Sequence, residues 1–249
     1  MKLSNDFNEM LGNLKGNKII VTGACSGMGR ATALELAKKG TVVIAIGKSR
    51  KNLTELAGTI KSRGGICHSF VVNLENYSEI INFTKKIKKE FKSIDWLINC
   101  AGLLEDKDKV EDFLPVFKVN ILAIIYLTQF LTPVLNKNGG IVNISSIAGI
   151  WFSSIFPVYS ASKAALNAYS KVTARVFSSS PKKLSCFNIC PGRTNTPMRQ
   201  KAASDARLHQ GPEIIARAIK NMVSGKSKFR NGDVIIIQKG RQRLYDRIA

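Results

Sequence analysis

Tyr159 and Lys163 stand four residues apart at the head of an apolar segment with helical period. On a helix, positions i and i+4 share a face one turn apart, so the Lys163 ammonium can stand beside the Tyr159 phenol. A nearby positive charge stabilises phenolate and lowers a phenol pKa that is about 10 in water. A tyrosine tuned toward neutral can pass a proton as a general acid or base. The same spacing also fits two ordinary residues on a half-exposed helix, so the surrounding elements must decide.

Those elements alternate. Short Val- and Ile-rich runs at 18–21, 41–46, 66–71, 95–98, 140–144, 184–189 and 234–237 read as strands. Helical patterns lie between them at about 27–39, 49–63, 77–91, 114–135 and 157–178, with shorter ones such as 212–223 before the last strand. Continuous apolar strands are expected where a parallel sheet is covered on both faces. The pattern predicts a doubly wound, Rossmann-type α/β fold with a parallel sheet of about seven strands. No linker or repeat divides residues 1–249, so one domain is expected, with a core of about 15–240 and a basic tail at 239–249.

The first predicted strand runs into Thr22-Gly23-Ala24-Cys25-Ser26-Gly27-Met28-Gly29. Glycines at 23, 27 and 29 permit a tight turn and close backbone approach to a pyrophosphate, and the following helix aims its free N–H groups at that anion. The context of strand, glycine turn and helix in the first βαβ unit is the one a dinucleotide site requires. The second strand ends Gly47-Lys48-Ser49-Arg50-Lys51, without the acid that usually binds the ribose hydroxyls of NAD. Lys48, with Arg50 or Lys51, would attract a 2′-phosphate, which favours NADPH over NADH. The alternative is that these bases are a solvated helix start.

Composition bounds the rest. The 38 Lys and Arg against 17 Asp and Glu give a net charge of +21, partly concentrated from 181 to 249. Such charge describes either a lysine-rich solvated surface or a field that draws an anionic partner. No helix-turn-helix, zinc-finger or aromatic RNA-binding signature supports specific nucleic-acid binding. The five cysteines lack Cys-x-x-Cys spacing and only His68 and His209 accompany them, so no metal site is expected. Reduced thiols fit the cytosol. Residues 1–17 lack the apolar core of a signal peptide. The longest apolar run, 119–135, contains Asn120, Thr128, Gln129 and Pro133, which reads as a core or interface helix rather than a membrane span.

Taken in order, these residues resemble the short-chain dehydrogenase/reductase family over about 15–240. Thr22 to Gly29 matches its Thr-Gly-x-x-x-Gly-x-Gly motif. Asn99-Cys100-Ala101-Gly102 is similar to its Asn-Asn-Ala-Gly, with Cys100 in place of the second asparagine. Asn120 matches the asparagine of the long helix, and Ser146 lies 13 residues before Tyr159, the family's separation for its catalytic serine. Pro191-Gly192 with Thr194 and Thr196 matches the segment that holds the nicotinamide carboxamide.

The resemblance implies a catalytic set of Asn120, Ser146, Tyr159 and Lys163. Tyr159 would protonate a carbonyl oxygen as hydride arrives from the nicotinamide. Ser146 would hydrogen-bond that oxygen, Lys163 would lower the Tyr159 pKa and bind the ribose, and Asn120 would hold a relay water. It implies a cofactor set of Gly23, Cys25, Ser26, Gly27, Met28, Gly29, Lys48, Asn73, Leu74, Asn99, Ala101, Gly102, Tyr159, Lys163, Pro191, Gly192, Thr194 and Thr196. Asn73 stands where the family usually has an aspartate near the adenine, and Ser26 where NADP-preferring members often carry a base. The C-terminus lacks the frequent Val-Asp-Gly-Gly ending, which leaves a tetramer in doubt, whereas a homodimer through the helices near 114–135 and 157–178 is expected. The implied activity is NADPH-dependent reduction of a small-molecule carbonyl. A 3-oxoacyl thioester on acyl carrier protein or CoA leads; a keto intermediate of nucleotide-sugar or surface-polysaccharide metabolism is the rival. A non-catalytic NADPH-sensing regulator is the reading from another class. Trp151, Phe152, Ile155 and Phe156 would border the substrate cleft or cover the sheet's edge.

Overall fold

The computed structural model describes residues 14–104, 110–202 and 210–247. Eight strands form one sheet: β1 (Lys18–Thr22), β2 (Val42–Gly47), β3 (Ile66–Val71), β4 (Ile94–Asn99), β5 (Leu135–Ile144), β6 (Ser185–Pro191), β7 (Val234–Gln238) and β8 (Arg241–Asp246). Their order is β3-β2-β1-β4-β5-β6-β7-β8, parallel from β3 to β7, with β8 antiparallel to β7. The order reverses between β2 and β4, on either side of β1. That switch point opens a crevice at the carboxyl ends of the strands.

The helices are α1 (Gly27–Ala37), α2 (Arg50–Lys61), α3 (Tyr77–Phe91), α4 (Val110–Phe117), α5 (Ala123–Leu131), α6 (Ala148–Trp151), α7 (Pro157–Ser178), α8 (Pro197–Ala202) and α9 (Pro212–Val223). Successive strand residues point to opposite faces, and each face has its own core. Ile19, Val21, Val43, Ile98, Val142 and Ile189 pack with Leu36 of α1, Leu53 of α2 and Ile219 of α9. Ile20, Ile44, Leu97 and Ile141 pack with Phe83 of α3, Leu127 of α5 and Phe177 of α7. The run 113–134 is apolar and long enough to cross a membrane, but half of it is buried in this second core.

Three expectations change. β3 is an exposed edge rather than a doubly covered strand, with Ile66 and Val71 open to solvent. β5 begins at Leu135, earlier than its apolar run, and its pairing with β4 slips between Ile94 and Trp96. The expected tail is an eighth strand. Lys239 and Gly240 both take positive φ (50° and 73°), the geometry of a two-residue type I′ hairpin turn. The strand escaped pattern reading because its residues, Arg241-Gln242-Arg243-Leu244-Tyr245-Asp246, carry no apolar run and are largely exposed.

Two contacts pin this hairpin. Lys171 of α7 bonds Asp246. Arg247 makes a fork to Asp233, with Nε to Oδ1 at 2.6 Å and Nη2 to Oδ2 at 2.8 Å. Asp233 is fully buried, so the fork neutralises a carboxylate that would otherwise stand unpaired inside the protein. Deleting residues 240–249 should lower the thermal midpoint by about 5 °C or more, read by circular dichroism, and Arg247→Ala should reproduce part of that fall. An unchanged midpoint in the deletion would show that β8 is an ornament on the sheet rather than part of its support.

Candidate active site

Helix α7 starts with Pro157, whose fixed φ suits a first helical position. Tyr159 follows in the first turn and Lys163 one turn later. The same face continues with Asn167 and Ser170, and each reaches across to the sheet. Lys163 Nζ donates to the Ile144 carbonyl at 2.9 Å. Asn167 Nδ2 donates to the Gly149 carbonyl, and its Oδ1 accepts from Asn188. Ser170 Oγ accepts from Asn143 at 2.9 Å. This polar stripe fixes the helix against the carboxyl ends of β5 and β6. Gly149 of α6 lets the short helix approach α7 closely: a Cβ there would sit 2.6 Å from the Lys163 carbonyl carbon.

Asn120 lies in a π-helical turn, Lys118–Leu122, between α4 and α5. Such turns insert a residue into the helix and re-aim its side chains. The fully buried Asn120 accepts from Leu103 N at 2.8 Å and donates to Leu103 O at 2.9 Å and to Ser162 Oγ at 3.0 Å. Ser162 Oγ in turn donates to the Tyr159 carbonyl. Asn120 therefore ties the loop after β4 to the first turn of α7. A Cβ on Gly102 would lie 3.4 Å from Asn120 Oδ1 and 3.5 Å from Lys163 Nζ, so all three meet at one point.

The electrostatics depart from the expectation drawn from spacing. Lys163 is 3% exposed, and burial pulls its ammonium down from 10.5 to about 8. Its neighbours Cys190 and Cys100 have thiols pushed up to about 12 by burial and are uncharged at neutral pH, so they offer no counter-charge. Tyr159 is pushed up, not down, to about 12. Burial is the main cause; a hydrogen bond with Ser146 and the charge of Arg199 oppose it. The Lys163 ammonium sits 5.7 Å from the Tyr159 ring centroid, over the ring. In this structure the cation that opposes the rise is Arg199. Ser146 also accepts from Ala148 N at 3.1 Å, which orients its hydroxyl at the start of α6.

Two clefts lie beside this cluster. One is lined by Gly23, Ser26, Gly27, Met28, Gly29, Lys48, Leu74, Ala101 and Gly102, the expected dinucleotide residues, together with Gly47, Val72, Cys100, Leu103 and Val119. Gly23 shows why the turn needs glycine: its φ is +63°, and a Cβ would lie 2.9 Å from Ala101 Cα. The other cleft is lined by Ser146, Tyr159, Pro191, Gly192 and Thr194, with Trp151, Phe152, Ile155, Phe156, Arg193 and Arg199. Met28, Thr196 and Met198 line both.

Four expected cofactor residues lie off the lining of both clefts: Lys163, buried as described, and Cys25, Asn73 and Asn99. Cys25 packs on Gly47 and donates weakly to the Ser49 carbonyl at 3.6 Å. Asn73 accepts from Glu75 N and donates its own N–H to Glu79 at 2.7 Å, so it shapes the turn after β3. Asn99 is fully buried and bonds Asn143 Oδ1 at 2.8 Å, within a rung of asparagines 99, 143 and 188 across β4, β5 and β6. Lys48 lines the cleft but is ion-paired with Glu75. The second strand lacks an acid in sequence, yet the loop after β3 supplies one in space. Glu75, Leu103 and Arg199 are the residues that sequence reading missed; nothing local marks them, because each acts through a fold contact. His209 lies outside the described residues.

The buried ammonium has a signed consequence. Because the native pKa of Lys163 lies below its unfolded value, charged Lys163 disfavours the fold below about pH 8, and that penalty fades as pH rises toward 10.5. Relative to Lys163→Met, the wild type should gain up to about 3 kcal/mol between pH 8 and 10.5, measured by urea unfolding. A flat difference across that window would place the native ammonium in water. The Tyr159 contribution, of opposite sign and setting in above pH 10, is common to both proteins.

The model of the short chain dehydrogenase family matches residues 17–207. A 3-oxoacyl-[acyl-carrier-protein] reductase FabG of Thermotoga maritima is 32% identical over 243 residues, spanning 91% of this chain and 98% of its own. A 3beta-hydroxysteroid dehydrogenase of Mediterraneibacter gnavus is 27% identical over 236 residues, 92% of this chain and 84% of its own. Among solved structures, a short chain dehydrogenase of Shigella flexneri complexed with NADP superposes with a TM-score of 0.83 at 26% identity, covering 90% of this chain and 98% of its own. With the Tyr159–Lys163 helix, the glycine turn and the sheet order already in place, these likenesses show that the chain belongs to the short chain dehydrogenase family, an oxidoreductase acting on alcohol and carbonyl groups.

Proposed function

We propose that the chain is an NADPH-dependent carbonyl reductase with Tyr159 as the proton donor. The observation that carries this reading is a pair of clefts that share Met28, Thr196 and Met198, with Tyr159 and Ser146 lining one and the glycine turn lining the other. The glycine-lined cleft fits a dinucleotide, since side chains at Gly23 and Gly29 would fill it or collide with its backbone. The Shigella flexneri relative carries NADP. Ser26, Gly27 and Met28 at the start of α1 would face the pyrophosphate, Lys48 the 2′-phosphate, Lys163 the nicotinamide ribose, and Thr194 and Thr196 the carboxamide. Bound there, the nicotinamide supplies the hydride.

The chain's own residues do the rest. Tyr159, neutral at physiological pH, holds the proton that the carbonyl oxygen needs. Ser146 bonds the Tyr159 hydroxyl and can share its hydrogen bond with the substrate oxygen as charge develops there. Lys163, with a pKa near 8, exchanges protons readily and can restore the one Tyr159 gives up. Asn120 fixes the turn that carries Tyr159.

For the substrate, the apolar wall of Ile147, Trp151, Phe152, Ile155 and Phe156 supports a 3-oxoacyl compound over a polar keto-sugar. The Thermotoga maritima relative and the net charge of +21 support a carrier- or CoA-bound form. Exposed Phe113, Leu114, Leu122, Val172 and Val176 on α4, the π turn and α7 support the homodimer, and free cysteines among the described residues support a cytosolic location.

Two measurements test this reading. Tyr159→Phe should lower turnover by about a thousandfold and leave NADPH affinity, followed by nicotinamide fluorescence, nearly unchanged; turnover that survives would remove Tyr159 from the chemistry. Lys48→Ala should weaken NADPH by about tenfold, or 1.4 kcal/mol, and spare NADH. Glu75→Gln, which releases Lys48, should tighten NADPH a few-fold, in keeping with the small worth of an exposed ion pair. Equal effects on both dinucleotides would end the case for a 2′-phosphate site at Lys48.

A further inference from the structure

Resting on the carbonyl-reductase reading, we propose that Gln210 is a positioning residue for the nicotinamide end of the cofactor, acting through Thr194. The segment that would face the carboxamide leaves β6 at Pro191 and enters α8 at Pro197. It belongs to neither element, so its backbone must find partners outside a helix or strand ladder. Gly192, Thr194 and Thr196 of this segment line the cleft that Tyr159 also lines. Gln210 stands 16 residues beyond Thr194 in the chain, just before α9, and is 6% exposed.

The Gln210 amide bonds on both of its sides. Its Nε2 donates to Thr194 Oγ1 at 3.1 Å and to the Ile237 carbonyl at 3.0 Å. Its Oε1 accepts from Gly240 N at 3.3 Å. Its backbone carbonyl accepts from Asn195 N at 2.9 Å. The Gly240 N–H can only donate and the Ile237 carbonyl can only accept, so the amide has one orientation and cannot turn over without losing both bonds. Thr194 Oγ1 donates its one proton to the Gly192 carbonyl at 2.9 Å. The Ile237 carbonyl also accepts from Gly192 N at 2.8 Å. Gly192 and Thr194 are therefore tied to the end of β7 and to the turn before β8, with one buried amide at the centre.

An apolar side chain of the same length would fill this space at a smaller cost of desolvation. What the amide adds is direction. It holds the Thr194 hydroxyl from one side while the Gly192 carbonyl holds it from the other, and Thr194 is 5% exposed. The hydroxyl is thus a tie that fixes the backbone of the segment. Hydride transfer needs the reacting atoms within about 3–3.5 Å, and a misplacement of about 1 Å costs on the order of a hundredfold in rate. Because Gly192 and Thr194 share a lining with Tyr159, a shift of their backbone moves the nicotinamide end relative to the proton donor. Lys48, at the adenosine end, takes no part in these bonds and pairs with Glu75 instead.

The test compares NADPH with adenosine 2′,5′-bisphosphate, its adenosine end alone, on wild type and Gln210→Met. Gln210→Met should weaken NADPH by about fivefold or more, as expected for a buried hydroxyl left without its partner, and leave the bisphosphate within about twofold. With acetoacetyl-CoA as substrate, kcat should fall by about tenfold or more while the KM of the thioester holds. Thr194→Val should give the same selective loss, and the double variant should be no worse than the worse single one, since both act through one bond. A loss shared equally by NADPH and the bisphosphate would overturn the proposal, because it would mark Gln210 as a support of the whole fold. Additive losses in the double variant would overturn it as well. Where Gln210→Met fails to fold, Thr194→Val, which leaves the bonds of Gln210 to Ile237 and Gly240 in place, carries the same comparison. Thr194→Ser, which keeps the hydroxyl, should then hold the preference for NADPH; a loss equal to that of Thr194→Val would count against the tie and overturn the proposal. The binding comparison needs no turnover. If the selective loss appears and no carbonyl is reduced, the positioning role stands and the reductase reading falls. If Tyr159→Phe abolishes turnover while Gln210→Met changes neither kcat nor the preference for NADPH, the reductase reading stands and the positioning role falls.

Discussion

A single ammonium placed beneath the end of a sheet organises this molecule. Lys163 gives up water for one carbonyl, that of Ile144, at 2.9 Å. The exchange is unfavourable in itself, as its depressed pKa shows. It is held in place by everything packed around it: the close approach of Gly149, the bond from Ser145 Oγ to the Lys163 carbonyl at 3.0 Å, and the anchoring of the next helical turns by Asn143 and Asn188. Once Lys163 is fixed, Tyr159 is fixed one turn before it. The hydrophobic cores on the two faces of the sheet supply the free energy that such an arrangement draws on.

The site also shows how two nearby cations divide their work. Lys163 is buried and lies over the face of the Tyr159 ring, at 5.7 Å from its centroid, whereas Arg199 lines the same cleft as Tyr159 and its charge opposes the rise of the phenol pKa. Burial raises both the phenol pKa and the cost of the ammonium, so the two groups are pushed toward their neutral forms together. Neutral tyrosine is the proton-bearing form. In the proposed reaction the donor is therefore already protonated at rest.

Much of this was legible in the residues themselves. Runs of Val and Ile named the inner parallel strands, because strands covered on both faces need apolar side chains at every position, whereas β3 is an exposed edge. The glycines at 23, 27 and 29 named the turn after β1, because no other residue fits its backbone there. Tyr159 and Lys163 were legible as a pair because helical geometry is local. What escaped were features set by contacts between distant segments. β8 is polar and exposed, so no periodicity marks it; its cause is the Lys239–Gly240 turn and the Asp233–Arg247 fork. The Lys48–Glu75 pair joins residues 27 positions apart. The rise in the Tyr159 pKa follows from burial, which spacing alone does not report. The π turn at Asn120 is silent in sequence, since Lys-Val-Asn-Ile-Leu would sit as well in an ordinary helix.

The hairpin at the end of the sheet has a consequence for how copies of the chain behave together. Without β8, the border would be β7, Val-Ile-Ile-Ile-Gln, whose unpaired peptide groups and apolar side chains form a template for another strand. With it, the border is a strand bearing Arg241 and Arg243, one of them stacked over Trp151 at 5.4 Å. Two such borders brought together would face each other with like charge and would have to desolvate several guanidinium groups to pair. The last strand therefore acts as a guard against edge-to-edge association and fibre growth, and it leaves β3 as the other free margin of the sheet.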